Sequence, residues 1–113
     1  MDKATLTRLH SVRNYPCVSI LLPTHRTAPD NQQDAIRLKN LVKQAEERLL
    51  QEFDKRAVEA IMHRVHDIAD KIDVNYNLDG LAIFANEDMA ERVDLPFAVA
   101  ERVVIDHTFA TRD

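Results

Sequence analysis

Glycine is almost absent from this chain, since Gly80 is the only one among its 113 residues. The two common glycine-rich phosphate-binding loops each need several glycines close together. The sequence therefore excludes the nucleotide-binding classes that are built on those loops.

Cysteine is equally scarce, because Cys17 is the only one and cannot form an internal disulfide. Such sparing use is typical of a reducing compartment, and we expect a cytoplasmic protein. Cys17 lies in an apolar run without a positive charge beside it in sequence. It is therefore predicted to be an inert core residue and not a reactive thiol.

The chain also lacks a long apolar run and an excess of positive charge. No apolar stretch approaches the ~20 residues that a membrane span needs, and the first residues lack the apolar core of a signal peptide. We therefore expect no membrane partner. The net charge is −4, so a nucleic-acid role would require a local basic patch.

The apolar pattern predicts one domain, covering 1–113, with four strands and two long helices. The run at 17–22 predicts a strand buried on both faces. Amphipathic helices are predicted over about 30–53, capped by Asp30 or Asn31, and along the apolar stripe at 58–72, capped by Asp54. Further strands are predicted at 80–85, 90–95 and 101–106, and a short helical segment at 6–12.

Together these elements predict the α/β class in the form of an α+β sandwich. We expect a mixed sheet of about four strands, with a two-helix hairpin crossing over one face and turning at 53–56. A crossover between parallel strands is expected to be right-handed.

Thr24, His25 and Arg26 directly follow the first strand and form the first candidate site. Ligands of open α/β sheets bind at the carboxyl ends of strands. A histidine and an arginine at that position can hold a phosphate or a carboxylate. The alternative is a polar turn whose side chains cap the following helix or face water.

Lys55 and Arg56, at the tip of the predicted hairpin, form the second candidate site. A phosphate backbone is the natural partner of such a protruding basic pair. The alternative is a charged turn that only faces water.

A third group consists of His63, His66, Asp67 and Asp70 on one helix. Histidine and carboxylate ligands suit zinc or another divalent ion. The alternative is a solvated helix face with His–Asp pairs at helical spacing. The chain carries no catalytic signature, and we expect neither an enzyme nor a cofactor.

Several stretches resemble, in order and spacing, the N-terminal domain of archaeo-eukaryotic class I peptide-chain release factors. The closer similarity is to their bacterial relatives, the bacterial archaeo-eukaryotic release-factor family (baeRF). The stretches are VSILLPTHR (18–26), RLKNL (37–41), AEERL (45–49), DGLAIF (79–84), LPF (95–97) and VVIDHTF (103–109).

The resemblance implies a ribosome-associated domain of a translation protein. In the archaeo-eukaryotic factors this domain reads stop codons with an Asn-Ile-Lys-Ser loop at the hairpin tip and a later Tyr-x-Cys-x-x-x-Phe motif. Here the tip reads Phe53-Asp54-Lys55-Arg56, and only Phe109 matches the second motif, with Val103 and Ile105 in place of Tyr and Cys. The resemblance therefore does not extend to stop-codon reading.

The Gly-Gly-Gln motif for peptide release belongs to the middle domain of that family. A chain with one glycine cannot contain it, so we expect the N-terminal domain of a longer protein that does not itself hydrolyse peptidyl-tRNA. The leading hypothesis is a non-enzymatic module that contacts the ribosome or its RNA through Lys55 and Arg56, together with Thr24, His25 and Arg26.

Two other hypotheses stay open. One is a small-ligand or metal-dependent enzyme domain that uses the His25/Arg26 turn or the His63/His66 face. The other is a structural domain that forms a homo-oligomer through a sheet edge or a helix face.

Overall fold

The computed structural model describes residues 3–10, 16–73, 77–107 and 109–110. The predicted α+β fold, with four strands and a two-helix hairpin, is confirmed. In chain order the elements are α1 (Lys3–His10), β1 (Cys17–Pro23), α2 (Asp30–Glu52), α3 (Lys55–Ala69), β2 (Gly80–Ala85), β3 (Ala90–Leu95) and β4 (Arg102–Asp106). The predicted first helix is present as α1, but part of the predicted 6–12 segment lies outside the described residues. Within the part of the chain described here, no helix has the length and apolarity needed to cross a bilayer.

The sheet has the strand order β3-β2-β1-β4. All three strand pairings are antiparallel, so the expectation of a mixed sheet was wrong. The chain leaves β1 at Pro23 and enters β2 at Gly80, and these two residues pair with each other. A crossover of one helix would return a parallel strand, whereas two successive helices bring the chain back to the end it left. The handedness rule for parallel crossovers therefore does not apply.

The main core lies between the sheet and the two long helices. Alternate residues of β1, namely Val18, Ile20 and Leu22, face the apolar stripes of α2 and α3. In α3 the predicted stripe is confirmed up to Ala69, because Val58, Ile61, Met62 and Val65 are buried while Ile68 and Ala69 pack at its edge. The helix ends before the predicted position 72, and Ile72 packs against the core from the segment after it. Each large side chain buried there contributes about 1.5–3 kcal/mol. This stripe holds the helix hairpin on the sheet.

The opposite face of the sheet has a smaller core. It consists of Cys17, Leu21, Ala82, Phe84, Leu95 and Phe109. Phe109 stacks at a tilt on Phe84 with ring centroids 5.4 Å apart, and the backbone N–H of Ala110 donates to Ser19 Oγ at 2.8 Å. The chain after β4 thus folds back over this face, and the prediction that Cys17 is a core residue is confirmed.

The two long helices begin in different ways. Asp54 caps α3 as predicted, because its carboxylate accepts from the Ala57 N–H at 2.8 Å. At α2 the cap prediction was wrong: Pro29 holds the N-cap position without a side-chain hydrogen bond, and Asp30 already belongs to the helix. The carboxylate that binds the loop before α2 is that of Asp34, one turn further on, which accepts from the His25 backbone N–H.

Candidate functional site

The two basic candidate segments lie at opposite ends of the sheet. Thr24, His25 and Arg26 follow the last residue of β1, and we call this region the turn end. α2 then runs back for 23 residues, about 35 Å at ~1.5 Å per residue. Only after it come Lys55 and Arg56, which define the tip end. The structure therefore does not join all five predicted binding residues into one surface.

A buried carboxylate organises the turn end. The side chain of Asp34 is only 1% exposed. Its Oδ2 accepts from the His25 backbone N–H at 2.7 Å and from Asn77 Nδ2 at 3.0 Å. Its Oδ1 lies 2.8 Å from His25 Nδ1 and 3.3 Å from Arg37 Nη1. Asp34 thereby ties the loop after β1 and the segment before β2 to the first turns of α2.

The His25 ring is oriented by this carboxylate. Nδ1 faces Asp34 Oδ1 at 2.8 Å, so Nε2 is the ring nitrogen on the far side from the carboxylate. The His25 side chain is 41% exposed. A histidine held by a buried acid with one nitrogen towards solvent can take part in proton transfer or hold a polar ligand.

Thr24 is buried and fully engaged within the protein. Its backbone N–H donates to Asp79 O at 3.0 Å, and its hydroxyl donates to Leu78 O at 2.6 Å. Both bonds extend the contact between β1 and β2 beyond Pro23. The side chain is therefore a structural link at the turn end.

Arg26 forms a two-point ion pair with Asp79. Nε lies 2.9 Å from Oδ1 and Nη2 lies 3.3 Å from Oδ2. The hydrogen bond from Arg26 lowers the pKa of Asp79, and the same bond raises the pKa of Arg26. The guanidinium that was predicted to bind a phosphate already holds a carboxylate.

Both arginines at the turn end are paired within the protein, and the carboxylates there outnumber them. Arg37 contacts Asp34 and also lies 3.8 Å from Glu101, so two arginines face three carboxylates. No pattern in the sequence singled out Asp34, Asn77 or Asp79 as site residues. Helical spacing does place Asp34 on the side of Leu38 and Leu41, which is the one signal that could have indicated its burial.

The tip end presents the opposite arrangement. Lys55 and Arg56 are both exposed and are the first two residues of α3. Neither makes an ion pair with any residue in the described ranges. The Asp54 carboxylate already caps this helix N-terminus, so the positive charge that the tip end offers is that of the two side chains. A shallow groove beside them is lined by Arg56, Glu59, Ala60, His63, Arg64, Asp67 and Glu87.

The predicted metal-binding face of α3 is divided. His63 lines the groove at the tip end, whereas His66 and Asp70 line a different groove between α2 and α3. Asp67 pairs with Lys71 at 3.3 Å. Within residues 3–10, 16–73, 77–107 and 109–110, no three His, Cys, Asp or Glu side chains come together as a metal-binding group.

Comparison with known proteins does not assign this chain to a family. No family model matches the chain, and no curated protein matches it. The two ends of the sheet are therefore the features from which a function can be inferred.

Proposed function

We propose that this chain is a non-enzymatic binding module, similar to the N-terminal domain of the baeRF family, that contacts ribosomal RNA through its tip end. The observation that carries the proposal is the state of Lys55 and Arg56: adjacent, exposed and without an ionic partner among the described residues. An exposed basic pair of this kind is suited to contact phosphate oxygens.

The charges elsewhere in the molecule limit the size of this contact. The net charge of −4 repels nucleic acid as a whole, and Glu59 and Asp67 line the neighbouring groove. The interaction is therefore local and depends on about two phosphate contacts. It does not include stop-codon reading, since the tip lacks the sequence for it.

The proposal predicts weak, salt-dependent binding to ribosomes. Two phosphate contacts on single-stranded RNA give a slope of log affinity against log salt of about −1.4. Affinity should then fall about sevenfold between about 50 and 200 mM salt. Co-sedimentation with ribosomes at several salt concentrations measures this slope.

The decisive variant is Lys55→Glu with Arg56→Glu, which reverses both charges at the tip end. The matched control is Lys3→Glu with Lys43→Glu, which changes the net charge equally at two exposed lysines outside the tip that also make no ion pair with a described residue. We expect binding to fall at least tenfold for the tip variant and much less for the control. Equal losses for both variants, or no binding by the unaltered chain at low salt, would refute the proposal.

One observation favours a second candidate function, a small-ligand site at the turn end. The His25 ring is fixed by a carboxylate that is 1% exposed, and its Nε2 is directed away from that carboxylate. Two-dimensional NMR of the His25 ring during addition of inorganic phosphate or a small carboxylate tests this function. A saturating shift that is lost in Asp34→Asn supports it, and the absence of any shift excludes these anions.

A further inference from the structure

Five of the exposed residues on the solvent-facing side of α2 follow a symmetric order. They are Ile36, Lys39, Lys43, Glu47 and Leu50, with spacings of three, four, four and three. These spacings keep all five on one side of an α-helix. The first and last of these residues are large and apolar, and the three between them are charged. We call the five residues the outer stripe.

The apolar ends of the outer stripe are unusual for a surface. Ile36 is 57% exposed and Leu50 is 48% exposed, and both belong to the small set of large apolar side chains with high exposure. The three charged members make no ion pair with a residue in the described part of the chain. Both kinds of side chain are therefore available to a partner.

We infer that the outer stripe is the contact surface of a homodimer in which α2 packs antiparallel on α2 of a second copy. With the twofold axis at Lys43, Ile36 of each copy lies opposite Leu50 of the other. The same operation places Lys39 opposite Glu47. A twofold interface must be self-complementary, and this stripe satisfies that condition for its apolar ends and its charge pairs.

Two features of the surroundings support this occupant. A groove of about 600 Å³ between α2 and α3 borders the stripe, is shared by Lys39 and Lys43, and has Leu38, Val42 and Ile72 among its lining residues. It offers apolar surface to a side chain from the partner copy. At the axis Lys43 lies opposite the Lys43 of the second copy. Each of these lysines is one helical turn from Glu47 of its own helix and from Glu47 of the opposing helix, and both glutamates offset the like charges.

The sheet edges are less suitable for self-association. β3 carries Glu91, Arg92 and Asp94, and charged side chains disfavour edge-to-edge pairing. On the other edge strand, β4, Arg48 Nη1 already donates to the Val103 carbonyl at 2.7 Å. The helix face is therefore the surface that fits a second copy.

The dimer is expected to be weak. The outer stripe extends about 21 Å along the helix, so it covers much less than the ~800 Å² per partner of a standard stable interface. Sedimentation equilibrium from about 10 μM to about 1 mM should show the mass rising from one chain towards two.

Charge exchange within the stripe is the sharpest test. Lys39→Glu and Glu47→Lys each create two like-charge contacts per dimer and should weaken it about tenfold. The combined variant Lys39→Glu/Glu47→Lys restores both pairs and should recover the affinity to within about threefold. Glu59→Lys on the exposed face of α3 is the matched control and should leave dimerisation unchanged.

The apolar and axial positions give two further readouts. Leu50→Asp should abolish the dimer while the monomer still folds, because about half of the side chain is already exposed. Lys43→Leu removes the like charges at the axis and should tighten the dimer at least tenfold. A chain that stays monomeric over the whole range, or a dimer that the double exchange does not rescue, overturns the inference.

Discussion

At the turn end His25 and Arg26 each hold a carboxylate, whereas at the tip end Lys55 and Arg56 hold none among the described residues. Both pairs lie next to the end of a regular element. His25 and Arg26 come shortly after β1, and Lys55 and Arg56 begin α3. The difference lies in their surroundings, because Asp34 and Asp79 are brought to the turn end by α2 and by the segment before β2. A guanidinium whose donors are taken by an acid that the fold supplies, as in Arg26, is a structural link, whereas one without such an acid, as in Arg56, is available for binding.

The largest expected effect at the turn end comes from Asp34→Ala. The variant leaves the buried donors of Asn77 and of the His25 backbone without their acceptor, and it should lower the free energy of unfolding by about 3 kcal/mol. Urea denaturation measures this. Asp30→Ala is the matched control, since Asp30 is an exposed acid one turn before Asp34 in the same helix, and it should cost less than about 1 kcal/mol. Similar losses for both would show that Asp34 does not organise the turn end.

A second large effect is expected from Gly80→Ala, where β2 begins beside the turn end. A Cβ at this position would lie 2.5 Å from the Phe97 carbonyl oxygen and 3.2 Å from Leu95 Cβ. The backbone after β3 has to move to accept it, which should lower the free energy of unfolding by about 2 kcal/mol. An unchanged urea midpoint would mean that the backbone at 96–97 can move away from the new Cβ without a measurable loss of stability.

At the tip end the corresponding structural residue is Asp54. Asp54→Ala removes the hydrogen bond to the Ala57 N–H and should lower the free energy of unfolding by about 1 kcal/mol. Asp54→Ser retains a capping oxygen and should lower the free energy of unfolding by only about 0.3 kcal/mol. A loss for Asp54→Ala as large as for Asp34→Ala would remove the contrast between the two ends.

A smaller effect concerns pH and the Arg26–Asp79 pair. Because the pKa of Asp79 is lowered in the folded state, its contribution to stability is present above the unfolded pKa of about 3.9. That contribution is lost as the pH falls through the lower folded value. Asp79→Asn should therefore reduce stability slightly near neutral pH, and the difference from the unaltered chain should shrink in acid. If the stability difference between the unaltered chain and Asp79→Asn instead grew as the pH fell, the ion pair of Arg26 with Asp79 would not be its cause.

The smallest effect on stability is expected at Lys55 and Arg56. Both side chains are exposed and unpaired within the described ranges, so Lys55→Ala and Arg56→Ala should each change the free energy of unfolding by less than about 0.5 kcal/mol. The same urea experiments measure it. A clear loss of stability would show that the tip end is structural too, and would weaken the proposed RNA contact.

Much of the secondary structure was predictable because it depends on local pattern. The α3 stripe, the Asp54 cap and strands β2 and β3 follow from spacing and turn residues a few positions apart. The role of Asp34 was not predicted, since it acts through contacts with His25 and Asn77, and Asn77 lies 43 positions away. The second core was also missed, because Phe109 meets Phe84 only after the chain turns back over the sheet.

The amino-acid sequence by itself determined which segments are helix or strand and which of their faces are apolar, because those properties depend on periods of two and 3.6 residues. Only the tertiary structure decided the strand directions, the separation of the two basic segments and the pairing of Arg26 with Asp79. These depend on where a two-helix crossover returns the chain, and on which distant carboxylates the folded sheet and helices bring within hydrogen-bonding distance.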